Sequence, residues 1–200
     1  MTSTKQKILA AALNLFSQHG YSAVSIRDIC GVVGIKESSV YYHFKNKQDI
    51  FNTLQAQFLE ISNKLTSMLM QGMGGKSMQQ LDNSFFEKVF SVYIEKFLMD
   101  DFCNAFIRTL NFERFNNEGA QDLFFNIMLE APLKTQKGVF DYLINLGVIK
   151  AQDSEYLAVQ YYAPVYFYYE KYMLTGELTD EKRTLFLKHI SKHFQNFLSA

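Results

Sequence analysis

The sequence predicts an all-α protein of two domains: an N-terminal three-helix helix-turn-helix unit over 1–47 and a larger helical body over 48–200. Three observations predict it. Apolar residues recur every three or four positions along most of the chain, which is helical spacing and not the alternation of a half-buried strand. Gly and Pro together make up only 12 of 200 residues, so long stretches run without a breaker. Hydrophobic residues reach 48% and aromatics 16%, enough for a real core and too much for a disordered or collagen-like chain.

In the first segment Ile8, Ala12, Leu15, Phe16 and His19 share one face, and Gly20 is a natural stop, so a helix is expected over about 4–19. Ser25 followed by Asp28 is an N-cap with an acidic first turn, opening a second helix over about 25–32. Gly34 sits where positive φ is easiest, and a third helix follows over about 36–43. Two short helices joined by a tight glycine turn make a helix-turn-helix. Ile29, Val33, Ile35, Val40 and Phe44 are its expected apolar lock, with small Cys30 at the close approach. The outward face of the third helix then carries Lys36, Glu37, Ser38, Ser39, Tyr41, Tyr42 and His43. From Lys47 to Gln71 runs one long apolar-periodic helix, ended by a Gly-dense patch at 72–75. Further helices are expected at about 81–98, 100–114, 118–147, 153–175 and 179–198, with Pro132 kinking or splitting the third of these.

Charge is uneven. Residues 1–47 hold six cations and two carboxylates, a net +4, while 48–200 hold 14 and 18, a net −4. A basic end on an acidic body points to a polyanion at that end. The longest apolar run, the nine residues Tyr161–Tyr169, is far short of the about 20 needed to span a bilayer. No signal peptide is legible, and two cysteines make no disulfide framework. The expectation is a soluble, cytoplasmic protein with no membrane partner.

The string Ser25–Phe51, SIRDICGVVGIKESSVYYHFKNKQDIF, resembles the DNA-binding segment of the TetR family of bacterial transcriptional regulators, and KQKILAAALNLFSQHGYSAV resembles that family's first helix. The likeness covers about residues 5–55; the rest agrees only in length, helicity and helix count. Lys36 stands where the family commonly has a small hydroxyl cap, and Cys30 and Val33 where alanines are usual. The resemblance implies that the third helix enters the major groove of double-stranded DNA. On matching positions it implies Ser25, Tyr42, His43 and Lys47 as phosphate ligands and Lys36, Ser38, Ser39 and Tyr41 as base readers. It also implies a homodimer on an inverted-repeat operator.

For the body, the apolar stripe of the last helix and the all-round apolar helix before it are the interface candidates: Tyr161, Val165, Tyr168, Phe186, Ile190, Phe194 and Phe197. The 19 Phe and 12 Tyr, with no Trp, suit an apolar pocket with a few hydroxyl anchors. Phe90, Tyr93, Phe97, Phe106, Tyr142, Tyr162 and Tyr166 are its expected lining, for an unidentified small, mostly apolar or aromatic effector. Pro164 removes the N–H that would bond the Gln160 carbonyl and is expected to bend its helix there. The expected function is thus a ligand-responsive repressor, with the 47–71 helix as the lever between sensor and reader. The alternative keeps the DNA reader but gives the body a protein-docking or nucleoid-organising role. No catalytic residue, cofactor or metal site is expected: His189 and His193 lie at i, i+4 without a third ligand, and no nucleophile motif is present.

Overall fold

Ser3 opens the first helix by accepting from the Gln6 amide at 3.3 Å, while the Gln6 side chain accepts from the Ser3 backbone at 3.0 Å. In this computed structural model, which describes residues 3–73, 88 and 91–199, helix α1 runs Thr4–His19 and stops at Gly20. Helix α2 (Ile26–Val33) is capped by Ser25 and closed by Gly34, whose φ of 74° is the left-handed turn conformation. The Gly34 and Ile35 amides both return to the Cys30 carbonyl, at 2.9 and 3.1 Å. Helix α3 spans only Glu37–Tyr41, shorter than expected. Lys36 holds its N-cap position with no side-chain cap bond, so one orphan amide that a hydroxyl residue would satisfy is left to other partners. Helix α4 (Lys47–Met73) follows.

Beyond these, α5 is Asp101–Glu113, α6 Glu118–Phe125, α7 Ala131–Asn145, α8 Ser154–Tyr169 and α9 Asp180–Ser199. Single π-turns lie at Ile94–Leu98, Asn126–Glu130 and Glu170–Leu174. No strand occurs among the described residues. The expected 118–147 helix is therefore divided, at the place where Pro132 acts. Proline has no N–H for the carbonyl four residues back. That carbonyl, of Met128, instead accepts from the Tyr162 hydroxyl at 2.8 Å in a buried bond. Pro164, by contrast, lies inside an unbroken α8.

The chain forms two compact units, Met1–Asn63 with Asp100–Phe124 and Lys64–Met99 with Phe125–Ala200. The first unit therefore takes in residues on both sides of position 47. The cause is aromatic packing: Phe58 and Phe51 stack on Phe106 of α5, with ring centroids 4.9 and 5.6 Å apart. In the first unit Ile8, Ala12, Phe16, Ile29, Val40, Ile50 and Phe58 are fully buried. Both thiols are sealed there, Cys103 at 0% and Cys30 at 6% exposure, and burial raises the pKa of each. In the second unit Val139, Phe140, Leu143, Leu157 and Ala158 form one cluster between α7 and α8. No described helix is long and apolar enough to cross a membrane.

Candidate nucleic-acid interface

Val40 at 0% and Phe44 at 2% exposure turn the inner face of α3 into core, so the polar residues between them face outward. Tyr42 is 85% exposed and Tyr41 54%. Lys36 and Ser38 are exposed, and Ser39 and His43 half-buried. The rings of Tyr42 and His43 meet edge to face at 5.0 Å, which limits the freedom of both. Thr4, Ile35, Ser38, Ser39, Tyr42 and His43 line one open concavity. Thr4 and Ile35 were absent from the expected set: a short β-hydroxyl at a helix start and a turn isoleucine carry no sequence signal for an interface. Hydroxyls and an imidazole around a concave surface suit hydrogen bonding to an anionic, hydrated backbone.

Two of the expected phosphate ligands are engaged elsewhere. The Ser25 hydroxyl donates to Asp28 Oδ2 at 2.6 Å and accepts from the Asp28 amide at 3.2 Å, closing a capping box. The hydroxyl's bond to Oδ2 first, and then the Ser25 amide's bond to the same oxygen at 2.8 Å, hold the Asp28 carboxyl below its ordinary pKa. Lys47 is a correction. Its Nζ donates to the carbonyls of Tyr21 at 2.7 Å and Val24 at 2.6 Å and lies 4.3 Å over the Tyr21 ring. Two of its three donors are thereby committed within the chain, and Lys47 ties the α1–α2 loop to the start of α4. Burial lowers its pKa, and the nearby Glu113 and Asp28 charges work the other way.

The expected effector lining is divided between the two units. Phe106 is in the first unit, fully buried against Phe51 and Phe58. Phe90 lies outside the described residues. In the second unit Tyr93 stacks on Phe97 at 5.4 Å and shares a hydrogen bond with Tyr162, whose hydroxyl also reaches Met128. Burial drives the Tyr162 pKa well above its ordinary value, so the phenol stays neutral and donates. Tyr142 and Tyr166 are half-buried in the same unit.

The expected interface stripe is also corrected. Val165, Phe186, Ile190 and Phe194 are 2%, 0%, 0% and 5% exposed within the single chain. The half-buried members join the same seam: Tyr161 meets Phe194 and Phe197 edge to face at 4.9 and 5.1 Å, and Tyr168 stacks on His189 at 4.6 Å. The α8–α9 stripe is therefore internal packing. The apolar side chains left on the outside of these helices are Tyr156, Val159 and Phe167 on α8 and Leu187 on α9. The histidine pair has a structural use too. His193 Nε2 lies 2.8 Å from the Tyr161 carbonyl, which only accepts, so Nε2 carries the proton. No group of three or more metal-ligating side chains occurs among the described residues.

Residues 8–54 match the family model of the bacterial regulatory proteins, tetR family. Over 51 residues the chain is 43% identical to the HTH-type transcriptional regulator AcrR of Shigella flexneri, covering 26% of this chain and 24% of that protein. Over 88 residues it is 33% identical to IcaR of Staphylococcus aureus (strain Newman), the negative transcriptional regulator of the biofilm operon icaADBC, covering 44% and 47% of the two chains. The alignments thus span at most about half the length of these relatives. The solved structure of the fatty acid degradation regulator FadR from Bacillus halodurans superposes with a TM-score of 0.66 at 15% identity, covering 99% of this chain and 96% of that one. At that identity the likeness carries the fold alone.

Proposed function

From the match of residues 8–54 to the tetR family of bacterial regulatory proteins, we propose that the chain is a member that represses transcription by binding an inverted-repeat operator as a homodimer. The observation that carries this reading is the polarity of α3: Val40 and Phe44 are sealed in the core while Tyr42 stands 85% exposed beside Lys36, Ser38, Ser39 and His43. A five-residue helix that buries Val40 and offers the Ser38, Ser39 and Tyr41 hydroxyls, with Lys36 at its N-cap, suits insertion into the major groove. The net +4 of residues 1–47 supplies attraction to phosphate that does not depend on base sequence. Tyr42 and His43 are assigned to phosphate, and Lys36, Ser38, Ser39 and Tyr41 to base edges. IcaR, a negative regulator, supports repression over activation.

Release follows from a small, uncharged, mostly apolar or aromatic effector held among Tyr93, Phe97, Tyr142, Tyr162 and Tyr166. Such a molecule shifts the population toward a conformer with misplaced recognition helices, and lowers operator affinity only by its differential binding to that conformer. The subunits pair through Tyr156, Val159, Phe167 and Leu187, the apolar side chains that α8 and α9 leave outside.

Fluorescence anisotropy on duplex DNA from upstream of the gene, titrated across salt, tests the reading. About four to six neutralised phosphates per subunit give a log–log slope of roughly −0.9 per contact. Affinity that is flat between about 50 and 200 mM salt would falsify it.

A further inference from the structure

Glu113 ends helix α5, where a carboxylate faces the negative pole of the helix and weakens it. It is also buried, with only 8% of the residue exposed, so its charge carries a desolvation cost. Neither fact favours a glutamate for the helix itself. Its partners lie 91 residues back: Glu113 Oε1 accepts from the Ser22 amide at 2.9 Å, and Oε2 accepts from the Ser22 hydroxyl at 2.6 Å. The fit is close. A Cβ added at Gly20 would stand 2.9 Å from Glu113 Oε1 and 3.4 Å from Phe112 Cβ, and Gly20 has φ of 85°. Only glycine meets both demands.

The same short loop is held from its other side by Lys47, on the carbonyls of Tyr21 and Val24. Tyr21 in turn donates to Gln48 Oε1 at 2.9 Å. The two clamps feel one another: burial raises the Tyr21 pKa and lowers that of Lys47, and the Glu113 charge adds to the first and opposes the second. The loop they fix ends at Ser25, the cap of α2, and α2 sets α3 through the rigid Gly34 turn.

We propose that Glu113 is a positioning residue for DNA reading: through Ser22 it sets the angle at which α2 and α3 are presented, so α5 carries the reader with it. This rests on the DNA-binding role assigned above. Glu113 touches no nucleotide in this scheme. Its loss leaves Tyr42, His43 and the net positive charge of the N-terminal segment in place but lets the recognition helix settle in several orientations. Base readout needs one orientation and phosphate attraction tolerates many, so the two kinds of binding respond differently.

The test uses the full-length protein. A duplex enriched by the wild type from a random pool serves as the specific probe, and a scrambled duplex of equal length as the non-specific one. For Glu113→Ala, affinity for the enriched duplex is expected to fall about tenfold or more, while affinity for the scrambled duplex changes less than about twofold and the salt slope stays that of the wild type. Glu113→Gln is expected to recover most of the loss, because its amide oxygen accepts from the Ser22 amide and its NH2 donates to the Ser22 hydroxyl. Ser22→Ala, at an exposed position where folding is not in question, is expected to show a smaller loss of the same selective kind and to be non-additive with Glu113→Ala. If both single variants keep the wild-type ratio of the two affinities, the proposal is overturned, including where both affinities fall by one factor, which marks a purely structural role. A wild type that enriches no sequence overturns the DNA-binding reading itself, a result distinct from an unchanged ratio.

Discussion

Tyr42 stands further into solvent than any other large apolar or aromatic side chain described, yet Val40 and Phe44, two residues to either side of it, are core. Such a ring keeps its orientation cheaply while its hydroxyl stays free. Tyr42→Phe is therefore expected to weaken operator binding by about 2- to 10-fold, one neutral hydrogen bond, without moving the melting temperature; anisotropy and a thermal melt check both halves. Asp28 gives a pH dependence. Its carboxyl is held below the ordinary value by the Ser25 hydroxyl, so its contribution to stability is complete above the unfolded-state pKa and disappears as pH falls through the depressed folded value. Thermal melts between about pH 5 and pH 2 are expected to fall more steeply for the wild type than for Asp28→Asn. The Ser25–Asp28 box was legible because capping is a three-residue rule. The Glu113–Ser22 bond was not, because no local pattern joins residues 91 apart. The bonds of Lys47 are illegible for a related reason: spacing places a lysine at a helix start but does not say which oxygens its amine reaches first.

Among the elements, the helices of the first unit were legible nearly to the residue, since each carries its own cap, stripe and glycine. Helix α3 was drawn too long because its last turn is not α-helical: the His43 and Phe44 amides both fall back on the Val40 carbonyl, at 2.9 Å each. Pro132 announced a break but not its repair, which comes from Tyr162 on another helix. Tyr162→Phe leaves the buried Met128 carbonyl without its partner and is expected to cost about 1–3 kcal/mol in a denaturant titration. Adding Pro132→Ala restores an N–H four residues from Met128 and is expected to return part of that loss. Full additivity of the two substitutions would show that the hydroxyl does not stand in for the missing amide.

For the whole molecule, periodicity marks α8 and α9 as strongly apolar helices but does not say which side of each stays outside. Helix α8 is apolar nearly all round, so periodicity cannot tell its inner face from its outer one; only the packing of α9 decides, and it takes Val165 inward and leaves Phe167 58% exposed. Phe167→Glu is expected to convert a dimer to monomers in sedimentation, with operator affinity dropping on the order of 100-fold as the two reading heads lose their linkage. Ile190→Ala is expected to do the reverse, costing about 2–5 kcal/mol of stability while leaving the assembly state alone, because Ile190 is core. The effector site stayed diffuse for the same reason: thirty-one Phe and Tyr residues give a sequence many possible linings and no rule for choosing among them. The two sulfhydryls close the account differently. Both reside in the first compact unit, dry and held protonated, so peroxide or an alkylating label finds no thiolate while the fold is shut. Oxidative bursts thus pass the reader by, and a covalent tag on Cys30 or Cys103 becomes a clock for how often each part of it breathes.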